Sequence, residues 1–126
     1  MNILVVEDNP SHLKLAHLVL SAAGHNVSGI EAAEQAFNSI RQDKPQVILL
    51  DLELPGIDGL TLVRRLKAEP ETRHIHLVVV TSYPDRFSKK DALAAGCDAY
   101  LVKPIDTRAL PQLIEKVSGW NKDSKP

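Results

Sequence analysis

Val47-Ile48-Leu49-Leu50-Asp51-Leu52-Glu53-Leu54-Pro55-Gly56-Ile57-Asp58-Gly59 decides the fold class of this chain. Its first four residues are apolar without interruption, leaving no polar face for solvent. That pattern suits a parallel strand covered by helices above and below. The run then stops at an acid, Asp51. Working outward, Ile3–Val6, Leu77–Val80 and Ala99–Val102 repeat the same short Val/Ile/Leu-rich pattern. Asn26–Ile30 is weaker, with only Val27 and Ile30 as large apolar residues, and reads as an edge strand.

Helical periodicity fills the intervals. Leu13, Ala16, Leu20 and Ala23 fall at spacings of three and four, with Gly24 placed to end the helix. Ala33, Ala36, Phe37 and Ile40 repeat the pattern before Pro45, as do Leu62, Val63 and Leu66 before Pro70. A fourth helix is expected over Pro84–Ala95, with a weak face of Phe87, Leu93 and alanines, and so only loosely held. The fifth carries Leu110, Leu113, Ile114 and Val117 before Gly119. Its Pro111 would break a helix interior, so the helix either starts late, near Leu110, or kinks. Strand and helix thus alternate five times, which predicts an α/β fold: a doubly wound, five-stranded parallel sheet with five helices.

The chain has 126 residues, enough for one domain with a real core. We expect that domain over residues 1–120, followed by a short polar tail over 121–126. With 44% hydrophobic and 25% charged residues, the composition is that of a globular protein rather than a disordered one. Fifteen basic against sixteen acidic residues give a net charge of -1, so no basic surface for nucleic acid is expected. The single cysteine, Cys97, excludes an internal disulfide scaffold. The apolar runs are too short to span a bilayer, and Glu7-Asp8 interrupts the first of them where a signal peptide would stay apolar. A cytoplasmic protein without membrane contact is the expectation.

In open α/β sheets, ligands bind beyond the carboxyl ends of the strands. The residues ending each run are therefore the candidates: Glu7 and Asp8, Asp51, Thr81 with Ser82, and Lys103 with Pro104. Two carboxylates about 5 Å apart repel by roughly 3 kcal/mol at an effective dielectric near 20. Three crowded acids require a cation or a proton, and Lys103 supplies only one charge. Mg²⁺ suits the remainder, since it takes one or two carboxylates and binds phosphate oxygens. Each residue alone has a plainer reading: Glu7 and Asp8 as helix caps, Asp51 as a turn residue, Thr81 and Lys103 as ordinary surface groups. Their coincidence at successive strand ends favours a site.

Together these residues resemble the receiver domains of two-component response regulators. The likeness runs from Ile3 to about Val117 and rests on Glu7-Asp8, Asp51 with its following Leu52–Gly59 segment, Thr81, Lys103-Pro104, and Tyr100 as the switch aromatic. It implies a flavodoxin-like sheet of order 2-1-3-4-5 and a phosphoacceptor switch in a phosphorelay. Asp51 would take a phosphoryl group from a histidine kinase or histidine phosphotransfer protein. By the same resemblance, Asp8, Asp51 and the Glu53 backbone carbonyl would hold Mg²⁺, with Glu7 acting through water, while Thr81 and Lys103 would hold the phosphoryl oxygens. Thr81 and Tyr100 would then switch the face formed by the fourth helix, fifth strand and fifth helix, which a downstream protein reads. The chain would catalyse only its own phosphorylation and dephosphorylation. A cis Lys103-Pro104 bond is also expected from the likeness, and Glu53 and Tyr83, which vary in the family, would tune access of water to the acyl phosphate.

Rival readings are weaker. An aspartate-nucleophile phosphatase would find its second acid at Glu53, but no segment remains for a substrate cap. A flavin or nucleotide binder needs a loop of amides after the first strand, where this chain has the acidic Glu7-Asp8-Asn9-Pro10. His12, His17, His25, His74 and His76 form no metal-ligand spacing with Cys97. Trp120 is read as a packing contact and Lys89-Lys90 as a solvated pair.

Overall fold

The computed structural model describes residues 1–120; the tail expected over 121–126 lies outside them. Five strands, β1 (Asn2–Val6), β2 (Asn26–Ile30), β3 (Val47–Asp51), β4 (His76–Thr81) and β5 (Ala99–Val102), alternate with α1 (Pro10–Ala22), α2 (Ala36–Asp43), α3 (Gly59–Ala68), α4 (Lys89–Ala95) and α5 (Ala109–Ser118). All pairings are parallel and the order is β2-β1-β3-β4-β5, as expected. Chain direction across the sheet reverses between β1 and β3, and these neighbours carry Glu7-Asp8 and Asp51 at their carboxyl ends.

Continuous apolar strands arise because both faces are covered. Leu4, Val6, Ile48, Leu50, Leu77 and Val79 face one core with Ile40, Leu62, Val63 and Leu66. Ile3, Val5, Val47, Leu49, Val78 and Val80 face a second core with Ala16, Leu20, Leu110 and Ile114. The period-two split of each run between two cores is the reason neither face could be polar.

Helix boundaries follow local chemistry. Asn9 caps α1 by accepting from Ser11 and His12, with Pro10 in the first turn where its missing N–H is harmless. Gly24 takes φ 95° just beyond the helix. The start of α5 at Ala109 puts Pro111 in the first turn, so the late-start expectation holds. Asp106 Oδ1 accepts the Arg108 and Ala109 amides there at 2.9 and 3.3 Å.

The fourth helix differs from expectation. It spans only Lys89–Ala95, capped by Ser88, whose Oγ accepts from the Asp91 amide at 3.1 Å. Residues 84–88 form a turn in which Arg86 and Phe87 both donate to the Tyr83 carbonyl. Phe87 is buried through that turn, whereas Leu93 is 44% exposed and lies off the packed face.

Candidate functional site

Local structure frees the acids for other work. Asn9, not Asp8, caps α1, and Asp58 caps α3 through the Leu60 amide at 2.9 Å. Asp51 is buried, 5% exposed, and its Oδ1 accepts the Glu53 amide at 2.9 Å. Glu7 is 6% exposed and its Oε2 accepts the Asn9 amide at 3.2 Å. The Lys103 Nζ donates to Glu7 Oε1 at 2.5 Å and to Asp51 Oδ2 at 3.0 Å. The Lys103-Pro104 peptide is cis.

One atom from each of Glu7, Asp8 and Asp51 fits within a sphere where all lie within 4.8 Å of one another. Three hard oxygen donors at that separation, with only one ammonium beside them, fit a small divalent cation. Without one, a proton takes its place: burial, then the hydrogen bond to Asp51, raises the Glu7 carboxyl to about 7. Burial also pushes Asp51 upward, but the bonds from Glu7, the Glu53 amide and Lys103 outweigh it and hold Asp51 below its ordinary range. Burial works against the Lys103 charge, yet its bonds to Glu7 and Asp51 keep that ammonium more firmly protonated than usual. Asp51 is thus an ionised carboxylate.

Thr81 is fully buried at the end of β4 and donates to Glu53 Oε2 at 2.6 Å. Glu53 Oε1 accepts the Ser82 amide, also at 2.6 Å. Tyr100 is half-buried, packs against the α2–α3–α4 side of the sheet, and its hydroxyl donates to the Phe87 carbonyl. The structure therefore gathers Glu7, Asp8, Asp51, Glu53, Thr81 and Lys103 on one rim, with Tyr100 two residues inside the end of β5.

Two features escaped the sequence reading. His12 Nδ1 lies 3.0 Å from Lys103 Nζ and 3.6 Å from Glu7 Oε1, making it a third neighbour of that ammonium. Its position four residues after Asp8, in the turn that Asn9 and Pro10 fix, is the available signal. The second is the pair of bonds that the Glu53 carboxylate makes to Thr81 and the Ser82 amide, since the sequence suggested for that side chain only an influence on water access or a second acid. His25 is buried at the opposite pole, against Glu115, while His74 is exposed and His76 half-buried. Cys97 is buried as well, and burial lifts its thiol to about 11, so it stays protonated.

Residues 3–115 match the response regulator receiver domain family. The chain belongs to that family. It is similar to the polar-differentiation response regulator DivK of Brucella ovis, 30% identical over 123 residues that cover 98% of both chains. Among solved structures, the receiver domain of sensor histidine kinase PA1611 from Pseudomonas aeruginosa superposes with TM-score 0.83 at 28% identity, covering 94% of this chain and 97% of that one. That structure has a magnesium ion coordinated in its active site cleft. The BeF3-activated receiver domain of Klebsiella pneumoniae RstA gives TM-score 0.84 at 27% identity, with coverage of 94% and 98%. As a receiver of two-component systems, the chain is a response regulator module and not a classical enzyme. Its acidic cluster is the kind of group at which receivers bind Mg²⁺. Among the described residues, no helix is long and apolar enough to cross a membrane.

Proposed function

We propose that residues 1–120 form a cytoplasmic phosphoacceptor switch in which Asp51 takes a phosphoryl group from a phosphohistidine on a histidine kinase or phosphotransfer protein. The observation that carries this reading is the Lys103 ammonium bound to both Asp51 and Glu7 at the rim where Asp8 also stands. An Asp51 carboxylate oxygen attacks phosphorus, the donor N–P bond breaks, and its electron pair leaves on the imidazole. Asp51 needs no base, because its environment already keeps it ionised. Such in-line transfer depends chiefly on positioning and charge neutralisation at the equatorial oxygens. Lys103 donates to those oxygens, and the Thr81 hydroxyl is placed to do so when it turns from Glu53.

Asp8, Asp51 and the Glu53 carbonyl would hold Mg²⁺, with Glu7 contributing through water; the bound ion supplies neutralisation of phosphoryl charge. Thr81 drawn toward the acyl phosphate leaves room that Tyr100 takes up, altering the α4–β5–α5 face that a downstream protein reads. The near-balanced charge gives no support to a nucleic-acid target. The test is acetyl phosphate with Mg²⁺, followed by intact-mass measurement of the unaltered chain and Asp51→Asn. One phosphoryl group on the unaltered chain and none on Asp51→Asn is expected; equal modification of both overturns the assignment.

A further inference from the structure

Glu53 is joined to the site at both ends. Its amide donates to Asp51 Oδ1 at 2.9 Å, while its carboxylate reaches across to β4. There one oxygen accepts from Thr81 Oγ1 and the other from the Ser82 amide, each at 2.6 Å. The Thr81 hydroxyl also accepts the Tyr83 amide at 2.9 Å, so its single hydrogen is committed to Glu53. A planar anion held by two donors in this way has the same demands as two oxygens of a phosphoryl group on Asp51.

We infer that the Glu53 carboxylate is a built-in competitor, occupying in the resting chain the Thr81 hydroxyl and Ser82 amide that a phosphoryl group on Asp51 would use. This rests on Asp51 being the phosphoacceptor. Loading requires Glu53 to release both bonds, and the incoming phosphoryl charge, about -2 at neutral pH, drives it out by repulsion. The released carboxylate has a destination. Glu53 and Arg86 line the same cavity of about 280 Å³ between the β3–α3 loop and the turn before α4. Glu53 therefore sets the rate of loading and, by returning, competes for the donors that hold the phosphoryl group. It is a positioning residue, acting through Thr81 and Ser82 and not on phosphorus.

The test reads transfer from acetyl phosphate, in which the Asp51 oxygen forms its bond to phosphorus as the bond to acetate breaks and acetate leaves with the electron pair. With Mg²⁺ present, Glu53→Ala should load about tenfold faster than the unaltered chain, as removal of two charge-assisted acceptors requires. Glu53→Gln, uncharged but able to keep one acceptor, should fall between them. The beryllofluoride concentration needed for half-saturation should drop in the same order. In a Thr81→Ala background the gain from Glu53→Ala should shrink, because the contested hydroxyl is gone. Loading of Glu53→Ala and Glu53→Gln no faster than the unaltered chain overturns the inference, as does an undiminished gain without the Thr81 hydroxyl. Asp51→Asn run alongside separates the two levels. If it loads like the unaltered chain, the phosphoacceptor reading is what has failed.

Discussion

Glu7 and Asp51 share one ammonium, and the surplus negative charge of this pair controls how the site answers to pH. Glu7 keeps its proton to about pH 7, whereas the same side chain in an unfolded chain releases it near 4.5. Between those values the folded chain binds more protons than the unfolded one, so stability falls as pH rises. Glu7 thus contributes most to stability below about 4.5 and loses that contribution as pH climbs through 7. Asp51, held below its ordinary 3.8, has the opposite slope, confined to acid solution. In chelator the melting temperature should therefore decline between about pH 5 and pH 7.5, and Glu7→Gln should abolish the decline. The same proton must leave when a cation takes its place. Mg²⁺ affinity measured by calorimetric titration should strengthen from about pH 6 to pH 8, by up to tenfold per unit below 7. Equal affinities across that range would mean that Glu7 carries no displaceable proton.

At the scale of elements, α4 separates what hydrophobic pattern conveys from what it omits. Leu66 is buried and Leu93 is not, though both stand at apolar positions of predicted helices. Leu66→Ala should cost about 2–5 kcal/mol in urea unfolding, because it opens a cavity under β3 and β4. Leu93→Ala should stay within about 0.5 kcal/mol. A large loss at Leu93 would mean that it packs in the weak face of Phe87, Leu93 and alanines expected over Pro84–Ala95. The boundary was legible in another signal: Ser88 followed three residues later by Asp91 is a helix-start pattern, and the Ser88 Oγ accepts the Asp91 amide. Strands β1, β3 and β4 were readable because a strand buried on both faces has no other way to be written, while β5, at the sheet edge with Val102 43% exposed, was readable from its short apolar run alone. Their terminal residues Asp8, Asp51, Thr81 and Lys103 were readable in turn, each being the polar break in an apolar run. His12 was not, because its approach to Lys103 depends on the phase of a helix relative to a strand 91 residues away.

Across the whole molecule, the two ends of the sheet do different work. The carboxyl ends carry the acids and Lys103, while the amino ends are closed by a polar lock that has no signature in sequence. His25, preceding β2, lies with Nε2 2.9 Å from Glu115 Oε2 on α5 and Nδ1 3.2 Å from the Met1 amino nitrogen. Its ring meets Trp120 edge-on at 4.8 Å. Ninety residues separate His25 from Glu115, so no local pattern announces the pair. A carboxylate oxygen only accepts, so it is Nε2–H that donates to Glu115. Substituting His25 by Ala leaves a half-buried carboxylate without its donor and empties the space beside Trp120. The expected loss is about 2 kcal/mol or more of unfolding free energy. Five-residue strands extend about 17 Å between this lock and the acidic rim, and perturbations that far apart are independent. His25→Ala should therefore lower the melting temperature while Mg²⁺ affinity and acetyl phosphate loading, measured well below that temperature, stay within about twofold of the unaltered chain. Weakened Mg²⁺ binding in the folded variant would mean that the sheet transmits strain from one end to the other, and the two poles would then have to be treated as one cooperative unit.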